Sequence, residues 1–187
     1  MTRLIDLPSS DEQGRLRVVV EAPRGSKVKL ALEPELGVFL FDRALPLGVV
    51  YPFDWGFVPG TLAEDGDPLD AMVVFDGATW PGVVIPSRPI GVVRLVQRTR
   101  GKTTRNDRIV AVPCDDERLE DVRDLHAAVR EELESFFVLV GEATKEKKVT
   151  IQGWRGAASA RKLVDEAART HASHATSARR RRPNEDR

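Results

Sequence analysis

The chain has 187 residues, of which 41% are hydrophobic and 31% are charged, a balance typical of one soluble globular domain. Its 29 lysines and arginines equal its 29 aspartates and glutamates in number, so no net field would draw it to nucleic acid or to an anionic membrane. A single cysteine, Cys114, excludes an internal disulfide and a cysteine-cluster zinc site.

The same features indicate the compartment. One lone cysteine suits a reducing environment. The first ten residues have no apolar signal core, and no apolar run is long enough to span a bilayer. We therefore expect a cytoplasmic protein without a membrane segment.

Short strands are predicted in most of the chain before Pro113. Segments that are β-branched or alternate in polarity are separated by turns containing proline and glycine. The predicted strands are 17–22, 27–33, 38–43, 71–75, 82–86, 90–96 and 109–112. Many short strands at close spacing, with few helices, favour a barrel or a sandwich.

Helices are predicted only toward the end of the chain. Asp124 is a suitable N-cap for a helix with one apolar face, formed by Leu125, Val129, Leu133, Phe136, Phe137 and Val140. A second helix is predicted from about Ala157 to Thr170, which would complete a domain spanning residues 1–170. Residues 171–187 are predicted to be a disordered basic tail. Their arginine run has no interleaved aromatic residues, so we do not expect nucleic-acid binding.

An acidic turn stands out at residues 64–70, which read EDGDPLD. Asp-Gly is a good turn former, and a solvated turn would explain an ordinary pair. Four carboxylates within seven residues repel one another, however, unless a cation lies between them. Hard divalent cations prefer carboxylate oxygens and share their coordination with phosphate. The turn therefore favours a Mg²⁺ or Mn²⁺ site with a phosphate ligand.

A phosphate ligand requires positive side chains opposite the metal. Lys29 and Arg43 fall in two predicted strands, where each could equally be a solvated strand residue. Tyr51 is the only tyrosine, in the aromatic segment VVYPFDWGFVPG, where packing with a hydrogen-bonded hydroxyl would also explain it.

Taken together, these segments resemble the soluble family I inorganic pyrophosphatases. The DGDPLD core is similar to the family signature, an aspartate-glycine-aspartate-proline sequence followed by a further aspartate. Flanking segments agree in family order and cover roughly residues 17–170: VVVEAPRGSKVKLAL, LGVFLFDR, YPFDWGFVPGTLAEDGDPLDAMVVF, SRPIGVVRLV, RIVAVP and VTIQGW.

The resemblance implies a mainly β fold with flanking helices, built on a five-stranded OB-like β-barrel. It also implies hydrolysis of pyrophosphate to two phosphates with Mg²⁺, or with Mn²⁺ or another divalent cation in its place. Family members commonly form homo-oligomers, so a homo-oligomer is a possible assembly.

The resemblance further implies a role for each candidate residue. Asp65 and Asp70 would ligate metal, and Glu21 would belong to the same metal shell. Asp67 would contact metal and also orient or deprotonate the attacking water. The remaining roles are phosphate binding, by Lys29 and Arg43, and hydroxyl donation at the catalytic centre, by Tyr51.

Several positions depart from the family pattern. At five positions a neutral residue replaces a charged or hydroxyl-bearing residue of the family: Ala31, Gln97, Asn106, Val140 and Gly141. In addition, Trp55 replaces a tyrosine and Arg108 replaces a lysine. An amide binds Mg²⁺ far more weakly than a carboxylate, so Gln97 and Asn106 favour fewer bound metals.

These departures remove metal ligands and phosphate contacts, which other residues could replace in two ways. They also leave two alternative functions open. Asp107 could reach the metal, or a basic residue could supply lost phosphate contacts, from among Arg98, Arg100, Lys102, Arg105 and Lys145. One alternative function is a catalytically inactive paralogue that binds a phosphate-containing ligand or a protein partner. The other is hydrolysis of a different phosphoanhydride or phosphate ester.

Overall fold

The computed structural model describes residues 2–143 and 147–181, with the side chains of 177–181 outside that description. The strands are β1 Leu16–Ala22, β2 Val28–Glu33, β3 Val38–Ala44, β4 Asp54–Val58, β5 Leu69–Val73, β6 Val84–Thr99, β7 Lys102–Arg105, β8 Arg108–Pro113 and β9 Lys147–Gly156. The α-helices are α1 Ala127–Glu142 and α2 Ala157–Arg181. Short 3₁₀-helices occupy Leu4–Asp6 and Val122–Asp124.

Five of these strands pair in a ring. β1 pairs with β4, β4 with β5, β5 with β8, β8 with β6, and β6 returns to β1. The β5–β8 pair is parallel and the other four are antiparallel. β7 and β9 extend the sheet beside β6, and β2 and β3 form a separate hairpin. The predicted five-stranded barrel is confirmed.

The predicted strands all occur, but three others were missed. The predicted strands 82–86 and 90–96 are joined in one long strand, β6, which begins at Val84. A register shift between Pro89 and Gly91 accommodates the proline within the pairing to β8. β4 lies in the aromatic segment and is buried at every position, so it has no alternation of polarity to detect. β7 and β9 were also missed.

Both helices differ in their ends from the prediction. The N-cap of α1 is His126, whose Nδ1 accepts a 3.3 Å hydrogen bond from the amide of Ala128. Asp124, the predicted cap, instead forms a reciprocal capping box with Asp121 around the preceding 3₁₀-helix.

Helix α2 continues past the predicted end at Thr170 to Arg181, through residues expected to be a disordered tail. Its alanines and arginines favour a helix, and the prediction gave them too little weight beside the histidine and serine residues. Residues 182–187 lie outside the described residues. Neither helix in the described part of the chain combines the length and apolarity needed to cross a membrane.

Successive residues of the barrel strands face two different cores. On one side, Met72 of β5 and Val110 of β8 pack with an aromatic group beneath α1: Tyr51, Trp55, Phe136 and Phe137. On the other side, Ala71 and Ile109 pack with apolar residues of α2, which are Ala160, Val164 and Ala167. This period of two places the site described below beside the aromatic core.

Candidate active site

One cavity of about 540 Å³ brings together all the residues predicted to form a site. It opens between the β2–β3 hairpin, the acidic turn, the end of α1 and the barrel strands β1, β4, β6 and β8. The predicted residues that line it are Glu21, Lys29, Arg43, Tyr51, Asp65, Asp67 and Asp70. Residues that are distant in sequence are therefore close neighbours in the fold.

Two β-bulges position charged residues around this cavity, and the first supplies a lining carboxylate. In the β1–β4 pairing Val20 lies opposite Gly56 and Ala22 opposite Trp55, so Glu21 is the extra, unpaired residue. Its Oε1 accepts a 2.9 Å hydrogen bond from the amide of Leu32. Burial raises the pKa of the Glu21 carboxyl, and the Leu32 hydrogen bond and Lys29 act against that rise.

The second bulge, in the β2–β3 hairpin, places an aspartate between two cations. Lys29 and Arg43 are paired directly across the strands, and Asp42 is the extra residue next to them. The Asp42 carboxylate lies 2.9 Å from Lys29 Nζ and 3.1 Å from an Arg43 terminal nitrogen. Because like charges opposite each other are unfavourable, Asp42 keeps the pair together. Sequence reasoning did not assign this role to Asp42, although it directly precedes Arg43.

Arg43 keeps donors available for a ligand. One terminal nitrogen donates a 3.3 Å hydrogen bond to the Val140 carbonyl at the end of α1. Its buried Nε has no hydrogen-bond partner among the described residues. A buried N–H without a protein acceptor is unfavourable, and it belongs to a side chain that lines the cavity.

The acidic turn is held in place at its base and by its glycine. The buried hydroxyl of Thr61 donates to the Val58 carbonyl at 2.6 Å and accepts from the Leu69 amide at 3.0 Å, which joins the two ends of the loop. Gly66 has a φ of +95°, a conformation that favours glycine. Asp65 and Asp67 are exposed at the cavity mouth, and desolvation and the nearby Asp67 raise the pKa of Asp65.

Asp70 lies deeper and is paired with Arg108. The Arg108 guanidinium forms a salt bridge with Asp70 and donates a 2.6 Å hydrogen bond to Asn106 Oδ1. Its central carbon, Cζ, lies over the Trp55 ring, 5.1 Å from the ring centre. Burial lowers the pKa of Arg108 to about 10, which still leaves it charged at neutral pH.

Tyr51 is almost fully buried, with 2% of its surface exposed. Its ring packs against Trp55 and Phe136, at centroid distances of 6.1 and 5.2 Å. Burial raises the pKa of its hydroxyl. Tyr51 is therefore a neutral hydrogen-bond donor at the cavity wall.

The positions that depart from the family pattern also line the cavity: Ala31, Trp55, Gln97, Asn106, Arg108, Val140 and Gly141. Gly141 permits close packing of α1 on β9, because a Cβ there would lie 2.3 Å from a Val149 methyl carbon. Asp107 is not among the lining residues. Its carboxylate accepts hydrogen bonds from the Leu95 amide and from Arg105, so the compensation suggested for Asp107 is not present.

Lys147 is a lining residue that sequence reasoning missed. It lies at the start of β9 opposite Thr99 of β6. Burial, together with Arg108, Lys29 and Arg43, lowers the pKa of Lys147. All four cations line the same cavity. In sequence it belongs to a lysine-rich run that resembles a solvated surface. Lys145, suggested as a phosphate contact, lies outside the described residues.

The charges of the cavity suit a divalent cation and an anion together. Within residues 2–143 and 147–176, no three His, Cys, Asp or Glu side chains lie close enough to enclose a metal ion by themselves. The lining carboxylates nevertheless present only oxygen donors, the chemistry that Mg²⁺ and Mn²⁺ prefer when water and phosphate complete the coordination. The residues present therefore fit a hard divalent cation that is shared with a phosphate.

Comparison with known proteins gives one consistent result. The family model described as inorganic pyrophosphatase matches residues 18–172. An inorganic pyrophosphatase from a Synechocystis species is 37% identical over 169 residues, which cover 88% of this chain and 96% of that protein.

Solved structures agree with the sequence comparison. The inorganic pyrophosphatase from Thermus thermophilus superimposes with a TM-score of 0.83 at 33% identity, covering 91% of this chain and 99% of that one. The inorganic pyrophosphatase from Helicobacter pylori does so with a TM-score of 0.80 at 30% identity, covering 89% and 98%.

Proposed function

This chain belongs to the inorganic pyrophosphatase family, and we propose that it hydrolyses pyrophosphate to two phosphate ions with the help of divalent cations, Mg²⁺ foremost. One observation carries the proposal. Four carboxylates and four cationic side chains line a single cavity among the described residues, so their formal charges cancel. Such a cavity can take up divalent cations and a polyanion together.

Two groups of side chains would divide the binding of metal and substrate. We assign the metal ligands to the carboxylates that surround the acidic turn, which are Asp65, Asp67, Asp70 and Glu21. Lys29 and Arg43, aligned across the β2–β3 hairpin, would donate to phosphate oxygens in charge-assisted hydrogen bonds. Lys147 extends this cationic side of the cavity.

The reaction itself requires a nucleophile and stabilisation of the leaving group. Divalent cations, when bound, would neutralise the phosphate oxygens and make a water molecule a stronger nucleophile. Asp67, at the cavity mouth, would accept the proton of the attacking water. The new P–O bond forms as the bridging P–O bond breaks, while Lys29 and Arg43 hold the departing phosphate. The neutral Tyr51 hydroxyl would donate a further hydrogen bond.

The family's reaction also bears on the alternative functions. Nothing in the comparisons favours an inactive paralogue, and the charged side chains needed for the reaction line the cavity together.

We also assign the protein to the cytoplasm, because a lone cysteine suits a reducing compartment.

The test is phosphate release from pyrophosphate with Mg²⁺ or Mn²⁺. We expect turnover by the wild-type protein and a loss of about 100-fold or more in Asp67→Asn, the range typical for removal of a general base. Asp76→Asn is the matched control, because Asp76 is an exposed aspartate that does not line the cavity. No phosphate release by the wild-type protein with either metal would refute the proposal.

A further inference from the structure

Arg108 is held in the cavity by three different contacts. Its guanidinium lies over the Trp55 ring, pairs with Asp70 and donates a hydrogen bond to Asn106 Oδ1. Resting on the proposed function, we propose that Arg108 is a built-in cation that takes the place of one divalent metal ion beside Asp70. Asp70 would then pair with Arg108 in place of the metal ion assigned to it above, and the cavity would bind its metal ions on the Glu21 and Asp65 side.

The charges on the barrel wall support this assignment. On this wall, the described residues that line the cavity are Leu95 and Gln97 of β6, Asn106 between β7 and β8, and Arg108 of β8. Gln97 and Asn106 are nearly buried, with 9% and 8% of their surfaces exposed, and both are neutral. Amide oxygens alone are weak ligands for a hard divalent cation. The one full charge on this wall is therefore the positive charge of Arg108, which would repel a metal ion.

The contacts also explain why the built-in cation is an arginine. A planar guanidinium can lie over an aromatic ring while one of its terminal nitrogens contacts both Asp70 and Asn106, whereas a lysine ammonium has no such plane. Asn106 suits this arrangement because its oxygen accepts from Arg108 at 2.6 Å without adding a charge that would attract a metal. Trp55 is itself buried, with 7% of its surface exposed, and its ring lies against the guanidinium.

The proposal concerns metal binding, so its test counts metal ions directly. Free Mn²⁺ is titrated by electron paramagnetic resonance, without pyrophosphate, against the full-length wild-type protein and the double variant Arg108→Gln/Asn106→Asp. We expect the double variant to bind one more Mn²⁺ per chain, because Asp70 is released from its guanidinium and a carboxylate is added beside it. Equal counts in the two proteins would overturn the proposal.

A second variant separates the role of Arg108 from the mere addition of charge. Asn106→Asp alone leaves the guanidinium in place, and we expect it to keep the wild-type Mn²⁺ count because the new carboxylate pairs with Arg108. An extra Mn²⁺ in this single variant would contradict the proposal. This variant also keeps the proposal testable if removal of Arg108 prevents folding.

A surface arginine provides the matched control. Arg118→Gln likewise removes a guanidinium from an aspartate, Asp116 at 2.8 Å, but neither residue lines the site cavity. We expect no change in its Mn²⁺ count. Since Mn²⁺ is counted without substrate, a wild-type protein that releases no phosphate would refute the proposed function, while the counts would still decide the role of Arg108.

Discussion

The Glu21 carboxylate and the Leu32 amide are joined by a 2.9 Å hydrogen bond that links the bulge of β1 to the last, turn-side residues of β2. The bond holds the β2–β3 hairpin, which carries Lys29 and Arg43, against the barrel. It leaves the Glu21 carboxyl in a desolvated position, where burial raises its pKa. A structural bond and a proposed metal ligand thus share one side chain, and the two roles respond differently to pH.

Glu21→Gln should make the metal-free protein more stable at neutral pH. The folded state raises the pKa of Glu21, so it binds the proton more tightly than the unfolded chain does. Stability from this group is therefore present at low pH and is lost as pH rises through the raised pKa. Glutamine keeps an acceptor for the Leu32 amide without the charge, so the gain should appear at pH 7 and disappear near pH 4, about the ordinary pKa of glutamate.

Thermal unfolding in a chelator from pH 4 to pH 8 measures this difference. Saturating Mg²⁺ should reverse it, because a bound cation stabilises the ionised carboxylate of the wild-type protein alone. Glu12→Gln, at an exposed position, should behave as the wild type throughout. A metal-free Glu21→Gln protein that unfolds at a lower temperature than the wild type at pH 7 would argue against the charge penalty.

Two adjacent lysines provide an internal comparison for substrate binding. Lys147 lines the cavity and Lys148 does not, because successive strand residues point to opposite faces. Lys147→Ala should raise the KM for pyrophosphate about tenfold, which corresponds to about 1.4 kcal/mol. Lys148→Ala should leave the KM within about twofold of the wild-type value, because Lys148 does not line the cavity. Steady-state phosphate release checks both, and equal effects of the two substitutions would exclude Lys147 as a specific substrate contact.

The glycine of the acidic turn should matter for metal activation as well as stability. Gly66 has a φ of +95°, and a Cβ there would meet no atom within 4 Å, so the cost of Gly66→Ala is one of backbone conformation. We expect a loss of about 1–2 kcal/mol, or a shift of the turn that avoids it. A shifted turn separates Asp65 from Asp67, so half-maximal activity should require more Mg²⁺.

Gly101 is the matched control for this substitution. It has a φ of +83°, equally free space around it, and a position in the β6–β7 hairpin away from the cavity. Gly101→Ala should lose stability comparably and keep the Mg²⁺ dependence of the wild type. If both variants shift the Mg²⁺ requirement alike, the conformation of the acidic turn is not what determines metal binding.

The acidic turn was predictable from sequence because its evidence is local. Four carboxylates in seven residues, with glycine and proline among them, already indicate a cation, and the structure places Asp65, Asp67 and Asp70 at one cavity. The barrel was predictable for a similar reason, because hydrophobic alternation and turn residues mark most of its strands.

The missed features depend on pairing between distant segments. The bulge at Asp42 results from the register in which β2 pairs with β3. The sequence of either strand alone does not indicate that register. Lys147 enters the cavity because β9 pairs with β6 and places it opposite Thr99. The start of α1 was misplaced because Asp124 and His126 can both cap a helix. In the structure Asp124 forms the capping box of the 3₁₀-helix, and His126 caps α1.

Asp121 should be a main source of stability where α2 begins. Its carboxylate accepts hydrogen bonds from the Ala157 amide at 2.9 Å, the Arg123 amide at 3.1 Å and Arg123 Nε at 2.8 Å. These bonds lower the pKa of Asp121 to about 2. Asp121→Ala should therefore cost about 1–2 kcal/mol at pH 7, the range for loss of a helix cap.

The pH dependence of this loss distinguishes the cap from general disruption. Because the folded state lowers the pKa of Asp121, its contribution is present above the ordinary aspartate value of about 3.9 and is lost as pH falls toward about 2. Urea unfolding should show a difference between wild type and Asp121→Ala that is full at pH 7 and smaller at pH 3. Asp165→Ala, at an exposed position of α2, should stay within about 0.5 kcal/mol of the wild type at both pH values. A loss in Asp121→Ala that is as large at pH 3 as at pH 7 would mean that the ionised carboxylate is not what stabilises this junction.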